Sequence, residues 1–234
     1  MEYKYDTHVH TFPVSRCGRA GVRETLEFYK SKGYDGIFIT NHFLDGNLNM
    51  DPSEPYEKRI EFYFSDYEEA LLIGKEIGLK VFLGVEISYK GTDFLIYGLD
   101  KQWYLNHPEI MDMEKSEELP FMMNEGALVI HAHPYREAHY IDHIRLYPRC
   151  IHGVETINAW RSDQCNDLAN YYADSFGFHK TAGSDNHTGR NIPKLAGMIS
   201  DEPLMDEGDF IRHVLADDMR LFTELNQVDE QDPS

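Results

Sequence analysis

Basic residues are scarce in this chain. Lys and Arg number 22 against 41 Asp and Glu, a formal net charge of −19 over 234 residues. That field repels a polyanion and argues against non-specific nucleic-acid binding. Cysteine is scarce too: Cys17, Cys150 and Cys165 are odd in number and widely spaced. They read as reduced thiols rather than a disulfide framework. No apolar run approaches the roughly 18 residues of a membrane span. No basic segment followed by an apolar stretch opens the chain, which enters a strand at once, so a cytoplasmic protein is expected. Internal repeats and low-complexity blocks are absent. The length suits one large domain, expected over residues 1–226, with a polar acidic tail over 227–234 that frays.

What is present starts with Tyr3 to Thr11, rich in β-branched and aromatic residues and without helical period. It reads as a strand. Residues i and i+2 of a strand share a face, so His8 and His10 present two imidazoles side by side at its C-terminal end. Further strands are expected at 36–40, 80–86, 93–97, 127–131, 153–157, 180–182 and 219–225. Helices are expected at 22–32, 63–77, 140–146, 163–176 and 207–216. Gly33 and Gly78 act as helix stops, and continuous apolar runs such as Gly36 to Thr40 mark buried parallel strands. Strand alternating with helix predicts an α/β fold with a parallel sheet, and seven or so strands close most easily into a barrel. His8, His10, His42, Glu86, His133, Asp185 and His187 each fall at or just past the end of an expected strand. In a barrel those ends gather on one face, where active sites are built.

These residues carry a resemblance. Asp6-Thr7-His8-Val9-His10-Thr11, Ile39-Thr40-Asn41-His42, Gly84-Val85-Glu86-Ile87, Val129-Ile130-His131-Ala132-His133-Pro134 and Gly183-Ser184-Asp185-Asn186-His187 resemble, in order, the motifs of the polymerase-and-histidinol-phosphatase (PHP) superfamily. The resemblance spans nearly the whole chain. It implies a distorted (β/α)7, TIM-like barrel holding two or three divalent metal ions, and carboxylates with imidazoles suit Zn, Mn or Fe. It further implies one ion on His8, His10, Glu86 and Asp185, with Glu86 bridging to a second ion that also takes His133. A third would lie near His42 and His187. The implied reaction is in-line attack of a metal-bridging hydroxide on a small-molecule phosphomonoester, with Glu86 and Asp185 as central carboxylates.

The chain departs from the family in three places. Asn41 stands where Asp is usual. Ser15-Arg16-Cys17-Gly18 replaces an Asp or His ligand before glycine, and the Cys17 thiolate is either a ligand or a small loop residue. Members with three metals carry a further His between Glu86 and His133, where Phe94 and Asp100 are the nearest candidates, and Asp100 alone of these can ligate. Arg16, Arg136, Arg161 and Arg190 are candidates to hold the substrate phosphate, because a guanidinium forks onto it. His131 is a candidate general acid or a buried strand histidine. Glu155 and Asn158 are expected to support the ligands from behind. Three alternatives stay open: a protein-tyrosine phosphatase of the same superfamily, an amidohydrolase-type C–N hydrolase, and a non-catalytic metal-binding domain. Amidohydrolases typically place a lysine at a middle strand end, and no lysine stands at such a position here. The oligomeric state is not readable.

Overall fold

The computed structural model describes residues 1–227. The expected tail lies outside the described residues from position 228 on. The elements run β1 (Tyr3–Val9), α1 (Val22–Ser31), β2 (Gly36–Ile39), α2 (Tyr56–Ile77), β3 (Lys80–Tyr89), β4 (Thr92–Tyr97), α3 (Lys101–Asn106), α4 (Lys115–Asn124), β5 (Leu128–Ala132), β6 (Gly153–Asn158), α5 (Asp163–Phe176), β7 (His179–Gly183), β8 (Lys194–Ser200), α6 (Glu207–Leu215) and β9 (Arg220–Leu225).

The nine strands among the described residues form one sheet in the order β7-β6-β5-β4-β3-β2-β1-β8-β9. β1, β2 and β3 are parallel, as are β5, β6 and β7. The sheet curls until β7 lies against β1. A bridge from Val9 to Asn186 ties the end of β1 to the segment after β7. The result is a nearly closed, distorted α/β barrel.

Three expectations fail. β4 runs antiparallel to both β3 and β5, so the sheet is mixed. The cause is the two-residue turn Lys90-Gly91, with φ of 49° and 83°. Two positive-φ residues between paired strands make a tight hairpin, which leaves no room for a crossover helix. β8, which pairs antiparallel with β1, was not anticipated, because its short apolar run follows a Gly- and Pro-bearing loop. The helix expected over 140–146 does not form: the chain from 133 to 152 has neither helix nor strand.

Side-chain alternation sorts the core into two layers. Inside the barrel, Phe38, Phe82, Leu95, Tyr97, Leu128 and Ile130 pack together. Outside it, Val85, Ile87, Phe94, Ile96 and Val129 pack beneath helix residues such as Phe64, Leu119 and Tyr172. Burying each large side chain stabilises by about 1.5–3 kcal/mol. On β3 the inward residues are Phe82, Gly84 and Glu86, so the carboxylate of Glu86 sits at the mouth above the apolar fill. Helix ends are fixed locally: Ser162 accepts from the Cys165 N–H at the start of α5, and Gly177 closes that helix in the left-handed region. No helix among the described residues is long and apolar enough to cross a membrane.

Candidate metal centre

The buried Glu86 carboxylate is ringed by imidazoles. Its Oε1 lies 3.3 Å from His8 Nε2 and 3.4 Å from His133 Nε2. Its Oε2 lies 2.6 Å from His42 Nδ1 and 3.4 Å from His10 Nε2. Asp185 Oδ1 stands 3.5 Å from His8 Nε2, 3.4 Å from His10 Nε2 and 3.3 Å from His187 Nδ1. The residues come from five places in the chain, four of them at or just past a strand end and Glu86 within β3. His133 and Asp185 turn into the mouth with φ of 26° and 56°, a left-handed backbone that is uncommon outside glycine. The Asp185 turn is held by its N–H, which donates to the His8 carbonyl at 2.8 Å.

These residues fit metal ions. Both Glu86 oxygens are buried and meet no donor in hydrogen-bonding geometry. His8 Nε2 and His10 Nε2 face each other at 3.1 Å. Three overlapping triads each bring their donor atoms within 4.8 Å: His8, His10 and Asp185; His8, Glu86 and His133; His10, His42 and His187. Carboxylate and imidazole donors of this kind are the chemistry of Zn, Mn and Fe.

The electrostatics agree. Burial opposes a charged His8, but Glu155, Asp185 and Glu86 outweigh it and hold its pKa well above the usual value. His10 goes the other way: burial, with His187 and His42 beside it, lowers it well below. Burial would raise Glu86, yet His42 and His8 hold it well below the carboxylate range. Asp185 is likewise depressed against its burial, by His8 and His10.

A second ring orients the first. Glu155 Oε1 lies 2.8 Å from His8 Nδ1. That contact fixes the ring so that Nε2 faces Glu86. Glu155 Oε2 accepts from the His133 N–H at 3.1 Å and from Asn158 Nδ2 at 2.9 Å. Asn158 also reaches Asp185 Oδ2 at 3.3 Å. Asn41 joins no imidazole. Its Oδ1 accepts from the Thr11 N–H and from Ser15 Oγ, and Ser15 Oγ lies 3.2 Å from His10 Nδ1.

A cavity of about 490 Å³ opens above the cluster, with Cys17, Asn47, Ser88, Lys90, Asp93, Arg136, Tyr140 and Arg161 on its wall. At its rim, hydrogen bonds with His187 and His42 overcome burial and bring the Cys17 thiol down to about 6. Arg161 Nη2 lies 3.6 Å from Asp185 Oδ2. Arg136 Nη2 lies 2.7 Å from Asp93 Oδ2 and donates to the Gly91 carbonyl at 3.2 Å.

Four expected site residues stand elsewhere. Asp100 caps α3, accepting from the Trp103 N–H at 2.8 Å. It lines a larger cavity of about 670 Å³, with Leu71, Leu99 and Glu207, that gathers no imidazole. His131 faces the outer layer. It stacks on Phe94 at 4.9 Å with Tyr172 edge-on, and both ring nitrogens are without a partner. The strand parity that would pair it with His133 breaks where His133 turns. Arg16 is exposed and outside the cavity wall. Arg190 is outside that wall too, its Nε 3.7 Å from Glu24. The sequence reading missed Asp93 and Ser15. Asp93 carried one signal: it begins a strand whose inward face is shared with Glu86.

A family model described as PHP-associated matches residues 164–218. No curated protein sequence matches. Among solved structures, the chain is similar to a two-domain protein from Bacteroides vulgatus containing a predicted PHP-like metal-dependent phosphoesterase. That likeness has 15% identity and a TM-score of 0.65, over 95% of this chain and 65% of the other. The chain therefore spans about 65% of the length of that relative. A candidate metal-dependent phosphoesterase from Bifidobacterium adolescentis matches at 15% identity and TM-score 0.58, over 91% and 95%. An amidohydrolase from Chromobacterium violaceum, with bound sulfate and no metal, matches at 13% and 0.55, over 92% and 97%. At these identities the likeness is one of fold.

Proposed function

We propose that the chain is a metal-dependent phosphoesterase that hydrolyses a phosphomonoester of a small molecule, using two or three divalent ions of Zn, Mn or Fe. The observation that carries this reading is Glu86: a buried carboxylate, unmatched by any hydrogen-bond donor, encircled by four imidazoles at a barrel mouth. Bound there, such ions polarise a phosphoryl oxygen and lower the pKa of water.

The side chains have separate tasks in this reading. His8, His10, Glu86 and Asp185 hold one ion, Glu86 and His133 a second, and His42 and His187 a third, with Cys17 at its rim. Glu155 keeps the His8 proton on Nδ1, so that Nε2 remains a donor to metal. Arg136 and Arg161 offer guanidinium N–H groups toward the space above Asp185, where a phosphate meets them as charge-assisted acceptors. The Nε of each is buried without a partner. The cavity volume suits a small molecule, and its polar wall suits a hydroxylated leaving group.

The test is metal analysis of the purified protein followed by a screen of phosphorylated metabolites with added Mn²⁺. Phosphate release should depend on metal and vanish in Glu86→Gln. Arg161→Ala should keep its metal and lose roughly tenfold to a hundredfold in kcat/KM, since a charge-assisted hydrogen bond contributes about 1.5–3 kcal/mol. A fully loaded protein that releases no phosphate from any ester, or that cleaves C–N bonds instead, would sink the reading.

A further inference from the structure

The β3–β4 hairpin places one more carboxylate in the site. Asp93 lies opposite Ser88 on β3 and Ala132 on β5. By alternation it shares the inward face with Glu86 and Leu95, while Phe94 points to the outer layer. Only 3% of Asp93 is exposed, and it lines the same cavity as Glu86 and His133. Its pairing with Arg136 is incomplete. Asp93 Oδ2 stands 2.7 Å from Arg136 Nη2, yet it meets no donor in hydrogen-bonding geometry, and the Arg136 Nε is buried without a partner. A buried ion pair favours the fold only when its geometry is good and its remaining donors and acceptors are satisfied. Here both partners keep unmet capacity, and Glu86 on the same cavity wall has two unmatched oxygens; the Asp93 carboxylate stands outside the donor triads that lie within 4.8 Å.

We propose that Asp93 is a ligand of the cation shared by Glu86 and His133, and that Arg136 compensates its charge only until that cation arrives. The inference rests on the metal-dependent reading above. Glu86 and His133 are otherwise short of donors, because His8 is also turned toward Asp185 and His10. A divalent cation satisfies Asp93 and Glu86 together, which a single guanidinium cannot do. The released guanidinium then holds an unpaired charge in a buried place, and a phosphate anion is the group that answers it. Metal loading and phosphate binding are therefore positively coupled, and the coupling is reciprocal.

The experiment measures metal stoichiometry and Mn²⁺ affinity by calorimetry in the whole chain, then the affinity for inorganic phosphate with and without Mn²⁺. Asp93→Asn should lose one equivalent of metal, or bind it more weakly by at least the roughly 10–100-fold that loss of an outer partner costs. Arg136→Gln should keep that equivalent at equal or higher affinity, because it removes the competitor. Phosphate should bind the wild type at least tenfold more tightly when Mn²⁺ is present, and Asp93→Asn should lose that difference. Full loading of Asp93→Asn at unchanged affinity overturns the inference. So does loss of metal in Arg136→Gln equal to that in Asp93→Asn, which would make the pair a structural prop. Should Asp93→Asn fail to fold, Asp93→His decides: it keeps a metal donor without the charge, and loss of the cation there overturns the proposal. A wild type that takes up no divalent cation removes the phosphoesterase reading and this inference with it.

Discussion

The histidines show how far a single residue's fate follows from its neighbours in sequence. His8 and His10 obey strand parity and face each other at the mouth. His131 and His133 have the same spacing but part company, because His133 leaves the strand with φ of 26°. His131 stays in the outer core, where burial and the nearby His133 push its pKa down to about 3. A neutral ring with two unpartnered nitrogens is no acid for a leaving group in the cavity. His131→Phe keeps the stack on Phe94 and removes two buried polar atoms. It should stabilise the fold by about 1–3 kcal/mol, a gain of roughly 2–4 °C in Tm per kcal/mol, and leave metal content unchanged. A lower melting temperature would mean that the ring has a buried partner such as water. Cys17 makes the opposite case: its place before Gly18 left a ligand and a small loop residue both open, and the two imidazoles beside it lower its thiol to about 6. In metal-free protein its alkylation rate should rise through a midpoint near pH 6. His42→Ala should move that midpoint upward, and bound metal should slow the labelling. A midpoint near 9 in the metal-free protein would show that the imidazoles do not reach the sulfur.

At the scale of elements, the parallel strands were readable because a strand buried on both faces writes itself as an unbroken apolar run. Their ends were readable because polar residues there line a mouth instead of a core. β4 defeated that logic. Lys90-Gly91 is a weaker hairpin signal than Asn-Gly, and the pairing of β4 fixes which of Asp93 and Phe94 faces the barrel mouth. With the strand taken as parallel, no argument singled out Asp93. β7 shows a different constraint, set by how closely it approaches β1. A Cβ at Gly183 would lie 2.5 Å from His8 Cβ and 2.9 Å from Glu155 Oε1, so only glycine lets the strands meet there. Gly183→Ala should destabilise by the roughly 1–3 kcal/mol typical of overpacking. It should also loosen the His8–Glu155 bond and weaken metal binding with it. Unchanged unfolding midpoint and unchanged metal affinity would show that the sheet relaxes at no cost.

At the scale of the molecule, the chain places acids where like charges should repel. Glu86, Glu155 and Asp185 are all buried at one mouth of a protein with net charge −19. Imidazolium protons offset part of this in the metal-free state, as the raised pKa of His8 shows. Divalent ions offset it better, since each brings two charges and asks for the lone pairs that Glu86 leaves unmatched. Cations that bind the folded cluster and not the unfolded chain must therefore stabilise the fold by mass action. At a hundredfold excess over Kd one site contributes about 2.7 kcal/mol. For a domain of this size that is a rise of roughly 5–10 °C in Tm. Differential scanning calorimetry with Zn²⁺ or Mn²⁺, and then with excess chelator, reads it directly. The wild type should gain and lose this increment reversibly. Glu86→Gln should show a much smaller increment, because it removes the charge of the carboxylate shared by four imidazoles. If saturating cation leaves the wild-type melting temperature unmoved, the ions do not prefer the folded state. The ring of imidazoles around Glu86 would then be a protonated buried network rather than a metal centre.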